Sequence, residues 1–269
     1  MPVDKWNADY FPGEVGEDQP DAAQRTANTD AAMREFMARQ ELIMECGGSE
    51  FIESIFKHNG TFSNRLDLLN ETLLLGIAYL FNGNEECQNS MLDVLTADAE
   101  NSMLLNVRRL ISNIGLILIE MRKIKEEAVS KDRDFAYSIV DTYDFFDSRA
   151  NIIDSVFGRT GYDKTELQNE KSNEQALCRM FRFLQLFCEN GNIKMKRFLL
   201  EQYNDLEGTQ RKTNTINFIE VTTLLLRKLF KIMNNKVVGI PQTLLEFINE
   251  ITQLPCIDNQ IAFMKSTFF

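Results

Sequence analysis

Two stretches of the chain share one plan, and that plan limits the folds open to it. Residues 73–95 read LLLGIAYLFNGNEECQNSMLDVL and residues 180–202 read MFRFLQLFCENGNIKMKRFLLEQ. Each has an apolar run at helical spacing, then Asn-Gly-Asn (82–84 and 190–192), then an amphipathic run with an apolar residue, Cys87 or Met195, three places after the second Asn. Glycine adopts the left-handed backbone that stops a helix, and a following Asn caps the next one. Gly83 with Asn84 and Gly191 with Asn192 are therefore expected to be structural corners between tightly joined helices. A weaker third copy lies at 244–264, with Leu-Pro-Cys and Pro255 at its corner. A helix pair alone cannot bury both of its sides, so internal repeats of this kind predict a stacked helical solenoid. The same stacking explains why the run holding Phe181, Phe183, Leu184 and Phe187 is apolar on more than one face.

The rest of the chain agrees with an all-α, armadillo-like solenoid of stacked helix pairs. Five prolines and thirteen glycines in 269 residues leave room for long uninterrupted elements. Helical spacing predicts helices from Asp30 as cap to about Glu45, a short one capped by Ser49, and others over 64–81, 85–97, 101–127 and 134–157. After them come 174–189, 192–204, 213–234, 241–253 and 257–267, with Pro241 in a first turn. Residues 158–173 and 205–212 are polar and read as loops. Residues 1–30 are rich in Asp, Glu, Pro and Gly and read as an extended acidic tail ahead of a helical domain over 31–269. Trp6, Tyr10 and Phe11 stand out in that tail. They mark either a segment packed on its own domain or a partner-docking peptide.

Composition narrows the function. A formal net charge of −11 repels phosphate backbones and anionic membranes, which counts against nucleic-acid binding. Five scattered cysteines without a CxxC fit a reducing compartment and apolar, structural use, Cys178 and Cys188 included. The acidic start has no signal-peptide pattern, and runs such as Leu73–Leu80 are too short to span a bilayer, so no membrane span is expected. A single histidine, His58, argues against a catalytic dyad or His-rich metal site and suits a helix C-terminus. No phosphate-binding glycine loop, dinucleotide fingerprint or EF-hand loop occurs. Asp141, Asp144 and Asp147 read as a solvated acidic face rather than a cation site, and the basic, amphipathic Leu224–Lys236 as an outer helix rather than a calmodulin-type target. No catalytic, cofactor-binding or metal-ligating residue is expected.

The segment from Met180 to Asn192, followed by Phe198-Leu199, resembles the region shared by inositol trisphosphate receptors and ryanodine receptors. Residues 73–92 and FINEITQLPCIDNQIAF at 247–263 resemble two further segments of those receptors, in the right order, over about 40–263. Gly191 stands where that family carries His, and the stretch 123–173 is longer in helix than the family suggests; pore helices and a ligand-binding β-trefoil are missing from this sequence. The resemblance implies the armadillo-like, receptor-homology-associated region of a calcium-release channel. Such a region is non-enzymatic, lies on the cytosolic face of the endoplasmic reticulum, and relays calcium and ligand signals between protein partners. The alternative is a free-standing cytoplasmic interaction protein, a structural subunit of a larger cytosolic or cytoskeletal assembly.

Overall fold

The computed structural model describes residues 22–58, 65–131, 164–205, 207–231, 239–253 and 255–266. The expected helix at 134–157, the acidic row Asp141, Asp144 and Asp147, and the aromatic trio Trp6, Tyr10 and Phe11 lie outside them. The fold is all-α. Ten α-helices occur among the described residues: α1 (Ala22–Glu45), α2 (Gly48–His58), α3 (Leu66–Leu80), α4 (Glu85–Ala97), α5 (Ser102–Lys131), α6 (Lys164–Cys188), α7 (Ile193–Leu200), α8 (Phe218–Phe230), α9 (Gly239–Thr252) and α10 (Ile257–Met264). No β-strand is found among them; Tyr203 and Arg211 form an isolated antiparallel bridge.

The chain divides into two compact units, Met1–Arg39 and Gln40–Phe269. In the first, Glu35 and Arg39 pair at 2.5 Å along the exposed side of α1, a contact worth about 0.2–0.5 kcal/mol in a helix. The extended tail expected over 1–30 is corrected for residues 22–30, since α1 begins at Ala22. Ala22, Ala23, Gln24 and Arg25 are strong helix formers and carry the helix through Asp30, which is therefore not a cap. Its carbonyl instead accepts from Arg34 Nε.

In the second unit α2 packs on α5 and α5 on α8, α3 packs on α6 and α6 on α9, and α7 packs on α10. Helix α6 is the centre of this arrangement. Phe183 lies parallel to Phe56 of α2 and 4.8 Å from Phe187, while Phe181 meets Phe247 of α9 at 5.7 Å. All of these rings are fully or almost fully buried, so α6 presents apolar side chains in opposite directions. Gly76 lets α3 approach it closely, because a Cβ there would fall 2.5 Å from Phe183 Cε2.

Two local expectations are revised. Helix α6 starts at Lys164, so most of the polar stretch 158–173 is helix rather than loop. Glu166, Leu167, Gln168, Glu170 and Lys171 favour helix, and propagation from an anchored apolar segment is easier than starting a new helix. Ser49 is not a cap but a buried hydroxyl inside α2, 2.8 Å from Tyr79 Oη and 2.9 Å from Ser90 Oγ. Helix α5 is apolar enough over Ser102–Lys123, with mean hydropathy 1.4, to meet the length and composition of a membrane span. Of that window 56% is buried within the protein, and Asn106, Arg108, Arg109 and Asn113 interrupt it, as in a core helix.

Candidate functional site

The most organised polar structure in the second unit is built on its helix corners. Asn82 and Gly83 both lie at positive φ, 63° and 61°, and Asn190 and Gly191 repeat this at 60° and 78°. Two consecutive left-handed residues reverse the chain, which is why Asn, tolerant of that region, precedes each Gly. Asn84 Oδ1 then accepts from the amides of Glu86 and Cys87, and Asn192 Oδ1 from that of Met195, so each starts the next helix. The third corner differs. Pro255 is exposed, Cys256 precedes α10 without a side-chain cap, and Asn259 Nδ2 donates to the carbonyls of Ile251 (2.9 Å) and Lys196 (3.0 Å).

The first two corners touch. Asn190 Nδ2 donates to the carbonyls of Asn82 (2.6 Å) and Gly83 (3.2 Å). A Cβ on Gly83 would lie 2.8 Å from that nitrogen, whereas a Cβ on Gly191 would meet nothing within 4 Å. Both glycines carry the backbone penalty of positive φ on substitution, about 1 kcal/mol, but only Gly83 adds a collision. Gly83→Ala is therefore expected to lower the urea midpoint clearly more than Gly191→Ala. Equal midpoints would show that Asn190 yields freely.

Each corner is also gripped from the preceding layer, by residues that sequence reasoning overlooked. Gln40 Nε2 donates to the carbonyls of Ala78 (2.8 Å) and Phe81 (3.1 Å), while its Oε1 accepts from Asn84 (3.1 Å). Gln88 repeats the pattern with Leu186 (2.7 Å), Glu189 (3.0 Å) and Asn192 (2.9 Å). Gln88 is the fourth residue after the capping Asn84; the fourth after Asn192 is Lys196. Lys196 is wholly buried and sits 3.3 Å from Glu250, an ion pair without hydrogen-bond angles. Glu250 precedes Cys256 by the interval that separates Ala78 from Asn84 and Leu186 from Asn192. The three contacts thus occupy one register. Gln88 and Lys196 each stand four places after a capping Asn, whereas Gln40 lies inside α1 and follows no such cap. A second knot ties the loop before α8: Gln202 bonds Phe198, Ile216 and Asn101, and Lys212 Nζ donates to the carbonyls of Leu95 (2.7 Å) and Asp98 (2.5 Å).

The ionisable groups behave as parts of a core. Burial pushes the Cys87 thiol up to about 11 and Tyr79 up to about 12, and raises Cys188 further still. Burial also lowers Lys212, which gives up its hydration for two carbonyls. High-pKa, enclosed thiols are poor nucleophiles. A thiol reagent on the native protein is expected to modify exposed Cys46 first and to leave Cys87, Cys188 and Cys256 unmodified until unfolding. Rapid labelling of Cys188 would contradict this packing. His58 ends α2 with Nδ1 2.8 Å from the Ser54 carbonyl. Among the described residues no group of three His, Cys, Asp or Glu side chains converges. The apolar side of the basic stretch is used internally, since Leu225, Leu226 and Leu229 of α8 are buried.

The corner from Glu189 to Asn192, the Lys196–Glu250 pair and the third corner all fall within residues 171–269, which match the family model described as RyR and IP3R Homology associated. That segment is similar to the RyR and IP3R Homology associated family. The match spans just over a third of the chain and begins at Lys171, inside α6. The first corner, Asn82 to Asn84, lies before it, yet is built and gripped like the second. No curated protein matches the chain.

Proposed function

We propose that this chain is a non-catalytic, armadillo-like scaffold that relays conformational shifts, like the cytosolic region of an intracellular calcium-release channel. The carrying observation is the RyR and IP3R Homology associated match at 171–269. The packing of α3 on α6 and of α6 on α9, which buries α6 on two sides, supports the armadillo-like reading. Corner grips that tie successive layers through main-chain carbonyls support rigid-body transmission, because packed elements joined in this way move together rather than deform. Its partners are other protein domains of such an assembly, and it works at the cytosolic face of the endoplasmic reticulum. Depleting the endogenous chain and measuring agonist-evoked calcium release from internal stores tests this. Reduced release, with the chain recovered in the microsomal fraction, is expected. Unchanged release, with the chain in a soluble cytoskeletal complex, would overturn the relay in favour of a free-standing interaction protein.

A further inference from the structure

A groove of about 290 Å³ runs between α5 and the start and body of α8. Its α5 side extends from Arg108 to Ile119, about 16 Å at helical rise, or three turns. Leu116 of α5 and Leu224 of α8 face it while 47% and 40% exposed, a high exposure for large aliphatic side chains that share one groove. The floor is preformed. Gly115 lets Leu225 pack so closely that a Cβ would fall 2.7 Å from Leu225 Cδ1. The charged lining is Arg108 and Lys228 against the single carboxylate of Glu220, and neither cation has an acidic partner among the described residues. That excess of positive charge lies on a chain whose net charge is −11.

We propose that this groove docks an acidic amphipathic helix of a partner protein. The groove has the length over which a helix offers anchors at i, i+4 and i+7, with Leu116 and Leu224 exposed within it. The two unpaired cations bordering it select carboxylates beside those anchors, and charge complementarity of this kind decides specificity and on-rate. The volume is at the lower edge of what a small-molecule site needs, about 300 Å³, which favours an extended occupant. An anionic lipid surface would meet the same cations, but the protein as a whole repels it. The inference stands independently of the relay reading, since it rests on α5 and α8 and not on the corners.

The test uses the full chain and a labelled helical peptide of about fifteen residues with leucines at i, i+4 and i+7 and glutamates flanking them, beside the same peptide with lysines. Fluorescence anisotropy is expected to show the acidic peptide binding at least ~10-fold tighter than the basic one. Arg108→Glu with Lys228→Glu should reverse the order, and Leu224→Asp should abolish binding; all three side chains are exposed, and unchanged circular dichroism and thermal midpoint confirm the fold. Failure of the acidic peptide to bind, equal binding of both peptides, or wild-type preference surviving the double charge reversal would overturn the proposal. So would capture by phosphatidylserine vesicles without capture of the peptide, which would assign the cations to lipid.

Discussion

Gly76→Ala is expected to destabilise the protein by about 3 kcal/mol, the upper part of the range for overpacking a well-filled core. The added methyl would enter the Phe183 ring, 2.5 Å from Cε2 and 2.8 Å from Cδ2. That ring cannot swing aside easily, because Phe56 lies parallel to it and Phe187 packs against it at 4.8 Å. Backbone adjustment would have to part α3 from α6, the two helices that set the middle of the second unit. Helix propensity acts the other way, since alanine is favoured over glycine within a helix by roughly 1 kcal/mol. A net loss therefore understates the collision by roughly that 1 kcal/mol. Phe183→Leu should recover part of it when combined with Gly76→Ala, although alone it costs stability. Chemical denaturation of the four proteins closes the cycle. A neutral or stabilising Gly76→Ala would mean the two helices are not in close contact.

Glu250→Gln should cost about 3–5 kcal/mol at neutral pH, the usual penalty for leaving a buried charge without its partner. Lys196 has no exposed side-chain surface, and Glu250 at 3.3 Å is its counter-ion. Lys196→Met combined with Glu250→Leu removes both charges and keeps most of the volume. It should be far less harmful than either single loss, because the attraction in such a pair barely exceeds the desolvation it required. If Glu250→Gln and the double variant unfold at the same denaturant concentration, Lys196 is not held by that carboxylate.

Much of this architecture was legible in the letters. Helical spacing in the runs around Leu73, Ile111, Phe183 and Leu244 reflects burial on a helix face, which local sequence records directly. The Asn-Gly-Asn corners were legible because their backbone needs only those residue types cheaply. The grips by Gln40, Gln88 and Lys196 were not. A glutamine that bonds carbonyls across 98 positions, as Gln88 does with Leu186, has the same local context as one facing water. Helix at 164–173 was missed for a related reason: its asparagines suggested a loop, while its continuity with the anchored part of α6 is a property of the whole helix. Gly76 and Gly115 carry no local signal, and their purpose depends on Phe183 and Leu225, distant in the chain.

The donors at Gln40 and Gln88 bind main-chain oxygens, and an oxygen of that kind is offered by any amino acid. Ala78 and Leu186 occupy equivalent places, as do Phe81 and Glu189, although one of the latter is aromatic and the other a carboxylate. Evolution can thus rewrite the letters at the receiving end without loosening the joint, while the amide at the giving end stays under constraint. Divergent modules of this construction should keep the long amide and the capping Asn that it reaches, even when the surrounding text has drifted beyond alignment.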